Sequence, residues 1–312
     1  MRPTRTLPLL PLLLFASACR EARTGAPPPP SEASAPIVVT DDAGREVRLT
    51  KPAERVVSLL PHVTDFIVAM GAAGRLAART EYDTAAAVAG LPSVGGGLSP
   101  SLETLVALRP DLVIVWPGES SRDLTARLTA LGISVYGARQ NRLEGTGPVL
   151  ERLGRLLGTE AAADSIARAI DGELRAVRAS VAGRPHPSVL FVISRDPLMA
   201  AGGTTFIHDV VTAAGGRNAF GELQAPAPQV SLEEVVRRDP DVILFPDGEH
   251  ATSALEWLRS RPGWSELEAV REGRVLEVDG ELFGRPGPRI GTAVRTLARW
   301  LHPEAFEGAA DA

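Results

Sequence analysis

One stretch of this sequence occurs twice, and the repetition limits how the chain can fold. Residues 101–116 (SLETLVALRPDLVIVW) recur as residues 231–246 (SLEEVVRRDPDVILFP), with the Ser-Leu-Glu start and the Pro-Asp pair at matching positions. Each copy predicts a short helix that begins at a serine N-cap and ends at the proline, followed by a buried parallel strand. In the second copy, Ser231 and Glu234 have the spacing of a capping box. The copies are too far apart for a solenoid repeat, so they predict two similar α/β lobes.

The N-terminal segment predicts export and membrane anchoring. Two arginines precede the apolar residues 7–15, and Ala-Ser-Ala-Cys ends the run at Cys19. Residues 1–18 therefore have the pattern of a signal peptide, too short to span a bilayer. The single cysteine at this point resembles a lipoprotein signal, the alternative being an ordinary signal peptide with a chance cysteine. Residues 19–36, with four consecutive prolines, predict a lipidated, semi-extended tether on the periplasmic side of a bacterial membrane.

The remainder of the chain divides at a long predicted helix. Residues 37–158 and 184–303 each alternate strands with helices, which predicts an α/β lobe built on a parallel sheet. Residues 159–183 lie between them and keep an apolar face at helical spacing, with Thr159 placed to cap the start. We therefore expect one long helix to join the lobes, and residues 304–312 to form a tail.

Two local features are less regular. After the strand that ends before Pro61, we expect a helix capped by Thr64 or Asp65. Residues 91–97 (LPSVGGG) predict an irregular loop that leads into the first copy of the repeat.

Three further segments carry a resemblance to a known family. These are RVVSLLPHVTDFIVAMGA, PQVSLEEVV and GRVLEVDGELFGRPGPRI, and the match covers about residues 55–303. The chain resembles the class III periplasmic binding proteins, which carry ferric siderophores, haem or cobalamin for ABC importers. The resemblance implies two Rossmann-like lobes joined by one rigid helix that limits lobe closure. It also implies a monomer that captures its cargo in the interlobe cleft and delivers it to a permease and ATPase complex.

The expected cleft lies where the parallel strands end. Flat aromatic faces suit a macrocycle, and arginines suit carboxylates, amides or phosphates. The predicted ligand-binding residues are His62, Tyr82, Gly97 and Trp116 from the first lobe, with Arg195, Glu281, Phe283 and Arg285 from the second. For Trp116 the alternative is a core position at the end of a buried strand, and for His62 it is a capped loop residue.

The resemblance leaves the cargo open. Tyr82, Trp116 and Arg285 match an aromatic pair and an arginine of a cobalamin-binding member, whereas Gly97 and Ala227 stand where that member has tryptophans. Glu281 also replaces an aspartate. A cobalamin-type corrinoid or an iron chelate is expected, with haem or a ferric siderophore as the alternative. Haem would require an axial ligand, for which Tyr82 and His62 are candidates.

The two copies of the repeat also predict a contact with the transporter. In the family, one surface glutamate on each lobe docks against arginines of the permease, and the matching residues are Glu103 and Glu233. The alternative is that each glutamate compensates the dipole of its helix.

Other classes of protein fit less well. The chain has neither a phosphate-binding loop nor a Gly-x-Ser-x-Gly elbow, and its cysteine is assigned to processing, so we expect no enzyme and no catalytic cofactor. The net charge of −5 argues against nucleic-acid binding. The five histidines form no close pair, so a site for a bare metal ion is not expected. A lipid-anchored interaction protein without a transport ligand remains the alternative.

Overall fold

The computed structural model describes residues 35–246 and 253–307. From Pro36 onward the chain forms one compact unit. The predicted signal peptide, Cys19 and nearly all of the tether lie outside the described residues. Within the described part, no helix is both long enough and apolar enough to cross a membrane.

Strands and helices alternate along most of the chain. The strands are β1 (Ile37–Thr40), β2 (Glu46–Leu49), β3 (Val56–Ser58), β4 (Leu76–Ala78), β5 (Gly95–Gly96), β6 (Ser99–Pro100), β7 (Leu112–Val115), β8 (Ser134–Gly137), β9 (Ser188–Arg195), β10 (Leu198–Ala200), β11 (Arg217–Asn218), β12 (Val242–Pro246) and β13 (Val275–Val278). The helices are α1 (Pro61–Ala69), α2 (Leu102–Ala107), α3 (Arg122–Ala130), α4 (Thr146–Leu157), α5 (Glu160–Val181), α6 (Phe206–Ala213), α7 (Leu232–Arg238), α8 (Ala254–Arg259), α9 (Glu268–Arg271), α10 (Gly280–Gly284) and α11 (Ile290–Leu301).

The elements form two α/β lobes, as the sequence predicts. The first lobe, β1 to α4, contains a parallel sheet in the order β4-β3-β7-β8. The second lobe, β9 to α11, contains a sheet in the order β10-β9-β12-β13, with β11 also paired to β9. Its strands are parallel except β10, which pairs antiparallel to β9. In the first sheet the strand of the repeat, β7, lies between β3 and β8, and in the second sheet the strand of the repeat, β12, lies between β9 and β13.

The serines that start the repeat cap their helices as predicted. Ser101 Oγ accepts a hydrogen bond from the backbone N–H of Thr104 at 3.2 Å, and Ser231 Oγ accepts one from Glu234 at 3.1 Å. The expected capping box is incomplete, because the Glu234 carboxylate accepts from Arg238 Nε at 2.9 Å instead. An arginine one turn along the helix thus competes successfully for the carboxylate.

The end of each repeat helix has an unusual backbone. Arg109 and Asp239, the residues before the two prolines, have φ values of 46° and 38°. A residue before proline is disfavoured in the right-handed helical region, so the chain leaves the helix there. The left-handed conformation is costly for a residue with a side chain, and it occurs at the same place in both lobes.

The aspartate after each proline joins two strands. Asp111 accepts hydrogen bonds from the backbone N–H groups of Glu54 at 2.8 Å and Arg55 at 3.1 Å, just before β3. Asp241 accepts one from the N–H of Ser188, the first residue of β9, at 2.6 Å. Each Pro-Asp pair therefore fixes the start of the repeat strand against the strand beside it, β3 in the first lobe and β9 in the second.

Alternate residues along the strands enter different apolar clusters, as expected for strands covered on both faces. One face of each sheet, with Ile114 in β7 and Leu244 in β12 as examples, belongs to a single cluster shared by both lobes. The opposite faces, with Val113 and Ile243 as examples, belong to separate clusters within each lobe.

Helix α5 contributes one face to the shared cluster. Its buried residues lie on one face, as the sequence pattern predicts: Ala163, Ile170, Leu174, Val177 and Val181. Thr159 occupies the N-cap position, but its side chain makes no capping hydrogen bond and its Oγ1 lies 3.6 Å from Met70 Sδ. The predicted role of Thr159 as a side-chain cap is therefore wrong.

Two other local predictions are corrected. Helix α1 begins at Pro61 rather than after Thr64 or Asp65, because proline fits the first helical position, where its missing N–H is not needed. The loop predicted for residues 91–97 contains β5, which pairs antiparallel with β6 to form a short hairpin.

Candidate ligand-binding cleft

The predicted ligand residues follow the carboxyl ends of the strands in both lobes. Trp116 comes directly after β7, and Arg195 is the last residue of β9. Ligands of open α/β sheets usually bind at these ends, beyond the point where the strands stop. We call this edge of the two sheets the cleft edge.

In the first lobe, exposed apolar side chains lie in the β5–β6 hairpin and beside it. Tyr82 is 56% exposed, and a Cβ placed on Gly96 would lie 3.7 Å from Cε2 of its ring. Leu98, at the hairpin turn, is 73% exposed. Leu98 and the partly buried Trp116 line the same small pocket, of about 10 Å³. The hairpin therefore lies beside Tyr82 at Gly96 and brings Leu98, an apolar residue that we did not predict, next to Trp116.

Gly97 is required by a close approach of two backbone segments. A Cβ atom at this position would lie 2.3 Å from the carbonyl oxygen of Leu59, much closer than any real contact. Gly97 can therefore offer only its backbone to a ligand.

His62 lies inside the fold. Its side chain is in the first turn of α1, the residue is 9% exposed, and Nε2 has no hydrogen-bond partner among the described residues. Burial, with a smaller effect from the positive charge of Arg285, lowers the pKa of His62 to about 4. The imidazole is therefore neutral near pH 7.

In the second lobe, Phe283 and Arg195 differ in what they present to solvent. Phe283 lies on α10, is 3% exposed and packs in the shared apolar cluster, so its ring supports the fold. Arg195 is half-buried, and its guanidinium carbon lies 4.2 Å from the ring centroid of Phe245. Burial lowers the pKa of the Arg195 guanidinium.

Arg285 connects the two lobes. Its Nη2 donates a hydrogen bond to the backbone carbonyl of Tyr82 at 2.9 Å, and its Nη1 lies 3.9 Å from Oε1 of Glu281. A cavity of about 330 Å³ adjoins this contact and is lined by residues of both lobes, including Asp65 and Arg289. Burial raises the pKa of Asp65, with Arg285 acting in the opposite direction. Arg285 thus holds the main chain of Tyr82, and both residues belong to the predicted site.

A second polar contact also joins the lobes. Arg142 and Asp209 form a two-pronged pair, with Nη2 to Oδ1 at 2.7 Å and Nε to Oδ2 at 2.8 Å. The N–H of Leu143 donates to the same carboxylate at 2.9 Å. Paired arginine and carboxylate groups of this geometry are stronger and more directional than single contacts.

The predicted docking residues are exposed and occupy equivalent positions. Glu103 and Glu233 are each the second residue of a capped repeat helix. The burial pattern is the same along residues 101–110 and 231–240. Hydrogen bonds from its own N–H and from Ser231 lower the pKa of Glu233.

Some residues at the cleft edge have only weak signals in the sequence. Leu98 directly follows three glycines, and an apolar residue in such a loop is the one local sign that its side chain is exposed to a ligand. Trp257 on α8 lies against Arg195, and Arg261 in the following turn lies against the Trp257 ring. No spacing rule links either residue to β9. Across residues 35–246 and 253–307, no three His, Cys, Asp or Glu side chains converge as a metal-ion site.

Comparison with known proteins identifies the family. Residues 56–282 match the model of the periplasmic binding protein family. The vitamin B12-binding protein of Vibrio parahaemolyticus serotype O3:K6 is 30% identical over 245 residues, which cover 78% of this chain and 88% of that protein. The ABC transporter substrate-binding lipoprotein YvrC of Bacillus subtilis is 27% identical over 281 residues, 87% of each chain.

A solved structure agrees with these relatives. The periplasmic haem-binding protein RhuT of Roseiflexus sp. RS-1 superposes with a TM-score of 0.72 and 27% identity, covering 81% of this chain and 99% of that one. The family and these relatives are substrate-binding proteins and not enzymes. The chain belongs to the periplasmic binding protein family.

Proposed function

We propose that this protein is the substrate-binding component of an ABC importer, and that it captures a cobalamin-type corrinoid or an iron chelate at the cleft edge. The observation that carries the proposal is the set of exposed or half-buried side chains at the carboxyl ends of the strands. Tyr82, Leu98 and Trp116 supply apolar surface in the first lobe, and Arg195 supplies a cation in the second. This combination suits a large ligand with apolar faces and polar edges.

Haem or a ferric siderophore is the second candidate cargo. The 27% sequence identity to a haem-binding protein supports this candidate. Position 97 supports it too, because a glycine stands there in place of a tryptophan of the cobalamin-binding member, and the Leu59 carbonyl leaves no room for a side chain. Among the two candidate axial ligands, the exposed Tyr82 is better placed than the buried His62. We therefore assign Tyr82 as the residue that would meet a haem iron.

A titration tests the proposed function directly. The purified protein is titrated with cyanocobalamin, haem and a ferric siderophore, while absorbance and tryptophan fluorescence are recorded. We expect saturable binding of at least one ligand, with one site per monomer and no chemical turnover. Binding of none of the three would favour the alternative of a lipid-anchored interaction protein.

We further propose that Glu103 and Glu233 dock the protein onto arginines of the permease. Their exposure and their equivalent positions in the two lobes support this role, since paired surface charges orient an encounter. The double variant Glu103→Lys/Glu233→Lys should lose uptake in cells while it binds ligand like the wild type. Glu160→Lys, at an exposed position in the first turn of α5, is the control. Normal uptake by the double variant would contradict docking through these residues.

The N-terminal segment is proposed to anchor the protein by a lipid on Cys19, on the periplasmic side of a bacterial membrane. The lipoprotein among its relatives supports this assignment. Cys19→Ala should move the protein from the membrane fraction to the soluble fraction, and mass spectrometry of the wild type should show the lipid. An unmodified wild-type Cys19 would contradict the anchor.

A further inference from the structure

Arg195 is part of a stack of aromatic rings and guanidinium groups at the cleft edge. Its guanidinium carbon lies 4.2 Å from the ring centroid of Phe245 and 5.0 Å from that of Trp257. The guanidinium carbon of Arg261 lies 4.1 Å from the centroid of the same indole. Since β9 and β12 are parallel neighbours, Arg195 and Phe245 lie at the same edge of the sheet. We call these four residues the cationic stack.

The aromatic part of the stack is held by the core of the second lobe. The Phe245 and Trp257 rings are 5.8 Å apart at an angle of 47°, and Trp257 is 6.4 Å from the buried Trp264. Contacts between guanidinium groups and aromatic faces fix the plane of the cation without using its N–H donors. The donors of Arg195 therefore stay available in a fixed orientation.

The charge of the stack is not neutralised by an ion pair in the described part of the chain. Over residues 35–246 and 253–307, no carboxylate oxygen lies within 4.0 Å of a guanidinium nitrogen of Arg195 or Arg261. Glu277 influences Arg195 electrostatically, but its carboxylate accepts a hydrogen bond from the N–H of Ala254 at 2.5 Å. By contrast, Arg285 is already engaged by Tyr82 and Glu281.

We propose that the cationic stack is a subsite of the cleft that binds an anionic group on the cargo, a carboxylate or a phosphodiester. This inference rests on the proposed function and adds the chemistry of recognition to it. The planar guanidinium of Arg195 matches such groups with two parallel hydrogen bonds. The predicted roles of the two arginines then separate, because Arg195 contacts the cargo and Arg285 positions Tyr82.

Matched pairs of ligands test the subsite. Haem is compared with its dimethyl ester, cyanocobalamin with dicyanocobinamide, which lacks the nucleotide loop that carries the phosphodiester, and a ferric carboxylate siderophore with a neutral ferric trihydroxamate. The first ligand of each pair carries a carboxylate or a phosphodiester and is called the anionic member, and the second is called the neutral member. Each is titrated against the wild type and Arg195→Gln. We expect Arg195→Gln to weaken binding of the anionic member of the bound pair by about tenfold to hundredfold, and to change binding of the neutral member by less than about threefold.

Control variants separate this effect from net charge and folding. Arg271→Gln removes the same charge from an exposed position on α9, which precedes β13 and so lies toward the opposite edge of the sheet. Arg271→Gln should bind both members like the wild type. Arg195→Lys should recover only part of the lost affinity, because an ammonium group lacks the planar pair of donors. Circular dichroism and thermal unfolding verify that each variant is folded.

The outcomes distinguish the two proposals. If the wild type binds a ligand and Arg195→Gln weakens the anionic and neutral members equally, or weakens neither, the subsite is wrong and the proposed function stands. A wild type that prefers the neutral member of each pair also overturns the subsite. Binding of none of the ligands overturns the proposed function, and the subsite with it. The pair that responds shows whether the anion is a carboxylate or a phosphodiester.

Discussion

The two copies of the repeat build the same scaffold but present different chemistry at its end. Each has a serine cap, a left-handed residue before proline and an aspartate that holds the start of the neighbouring strand. Beyond the strands, β7 leads to Trp116 beside an exposed leucine, whereas β12 ends beside the cationic stack. The lobes therefore share what holds a strand in place and differ in what a ligand would contact.

The largest effect should come from the glycine that lets the first-lobe hairpin approach the main chain. Gly97→Ala places a Cβ against the Leu59 carbonyl, which cannot move as a side chain would, and should lower the free energy of unfolding by about 3 kcal/mol. Gly96→Ala is the matched control, because its Cβ would meet only side chains at 3.2 Å and beyond. Chemical denaturation measures both, and equal stabilities would refute the close approach.

The buried histidines of the two lobes differ in their hydrogen bonds. Nε2 of His62 has no partner in the described structure, whereas Nε2 of His302 lies 3.3 Å from the carbonyl oxygen of Gly215. Unfolded His62 binds a proton near pH 6.5, but the folded protein binds it only near pH 4. As pH falls from 6.5 toward 4, protonation therefore favours the unfolded state and lowers the free energy of unfolding by up to about 3 kcal/mol. Above pH 6.5 the imidazole is neutral in both states and this loss is absent.

His62→Gln should reduce the slope of unfolding free energy against pH between pH 6.5 and 4, because one titrating group is removed. Denaturation midpoints in a pH series measure this slope. The same series for His302→Gln shows how much of the change is particular to His62. An unchanged slope in His62→Gln would show that the lowered pKa of His62 does not control acid stability.

The Pro-Asp pairs allow a direct comparison between the lobes. Asp241→Ala leaves the N–H of Ser188 without its acceptor in a buried position, which should cost about 2 kcal/mol. Asp111→Ala frees two N–H groups that water can reach and should cost about 1 kcal/mol. Urea denaturation of both variants measures the difference. A reversed order would mean that solvent exposure does not set the strength of these contacts.

A smaller effect should appear in binding at the first-lobe hairpin. Leu98→Ser removes apolar surface from the cleft edge and should weaken binding of the cargo about tenfold without changing stability. Leu131→Ser is the control, since Leu131 is 57% exposed but lies between α3 and the start of β8, at the opposite edge of the sheet. Equal affinities of the two variants would exclude Leu98 from the site.

Local sequence signals predicted the scaffold well because its causes are local. Serine caps, the proline stops and the apolar face of α5 all follow from residues within a few positions of one another. The cleft depends on contacts between distant residues. Tertiary packing determines the close approach of the Leu59 carbonyl to Gly97, the burial of Phe283 and the stacking of Arg195 on Trp257. No spacing in the sequence encodes these contacts.

The shared apolar cluster has a consequence for recombining this protein with its relatives. Because α5 packs with one face of both sheets in a single core, the chain has no interior boundary that matches the boundary between its lobes. A chimera joined at Gly158 or at Gly183 would set a foreign apolar surface against half of that core. Exchanging ligand specificity is therefore better done by substituting exposed residues of the cleft edge, such as Tyr82 and Leu98, than by exchanging a lobe, since these two side chains lie outside the common interior.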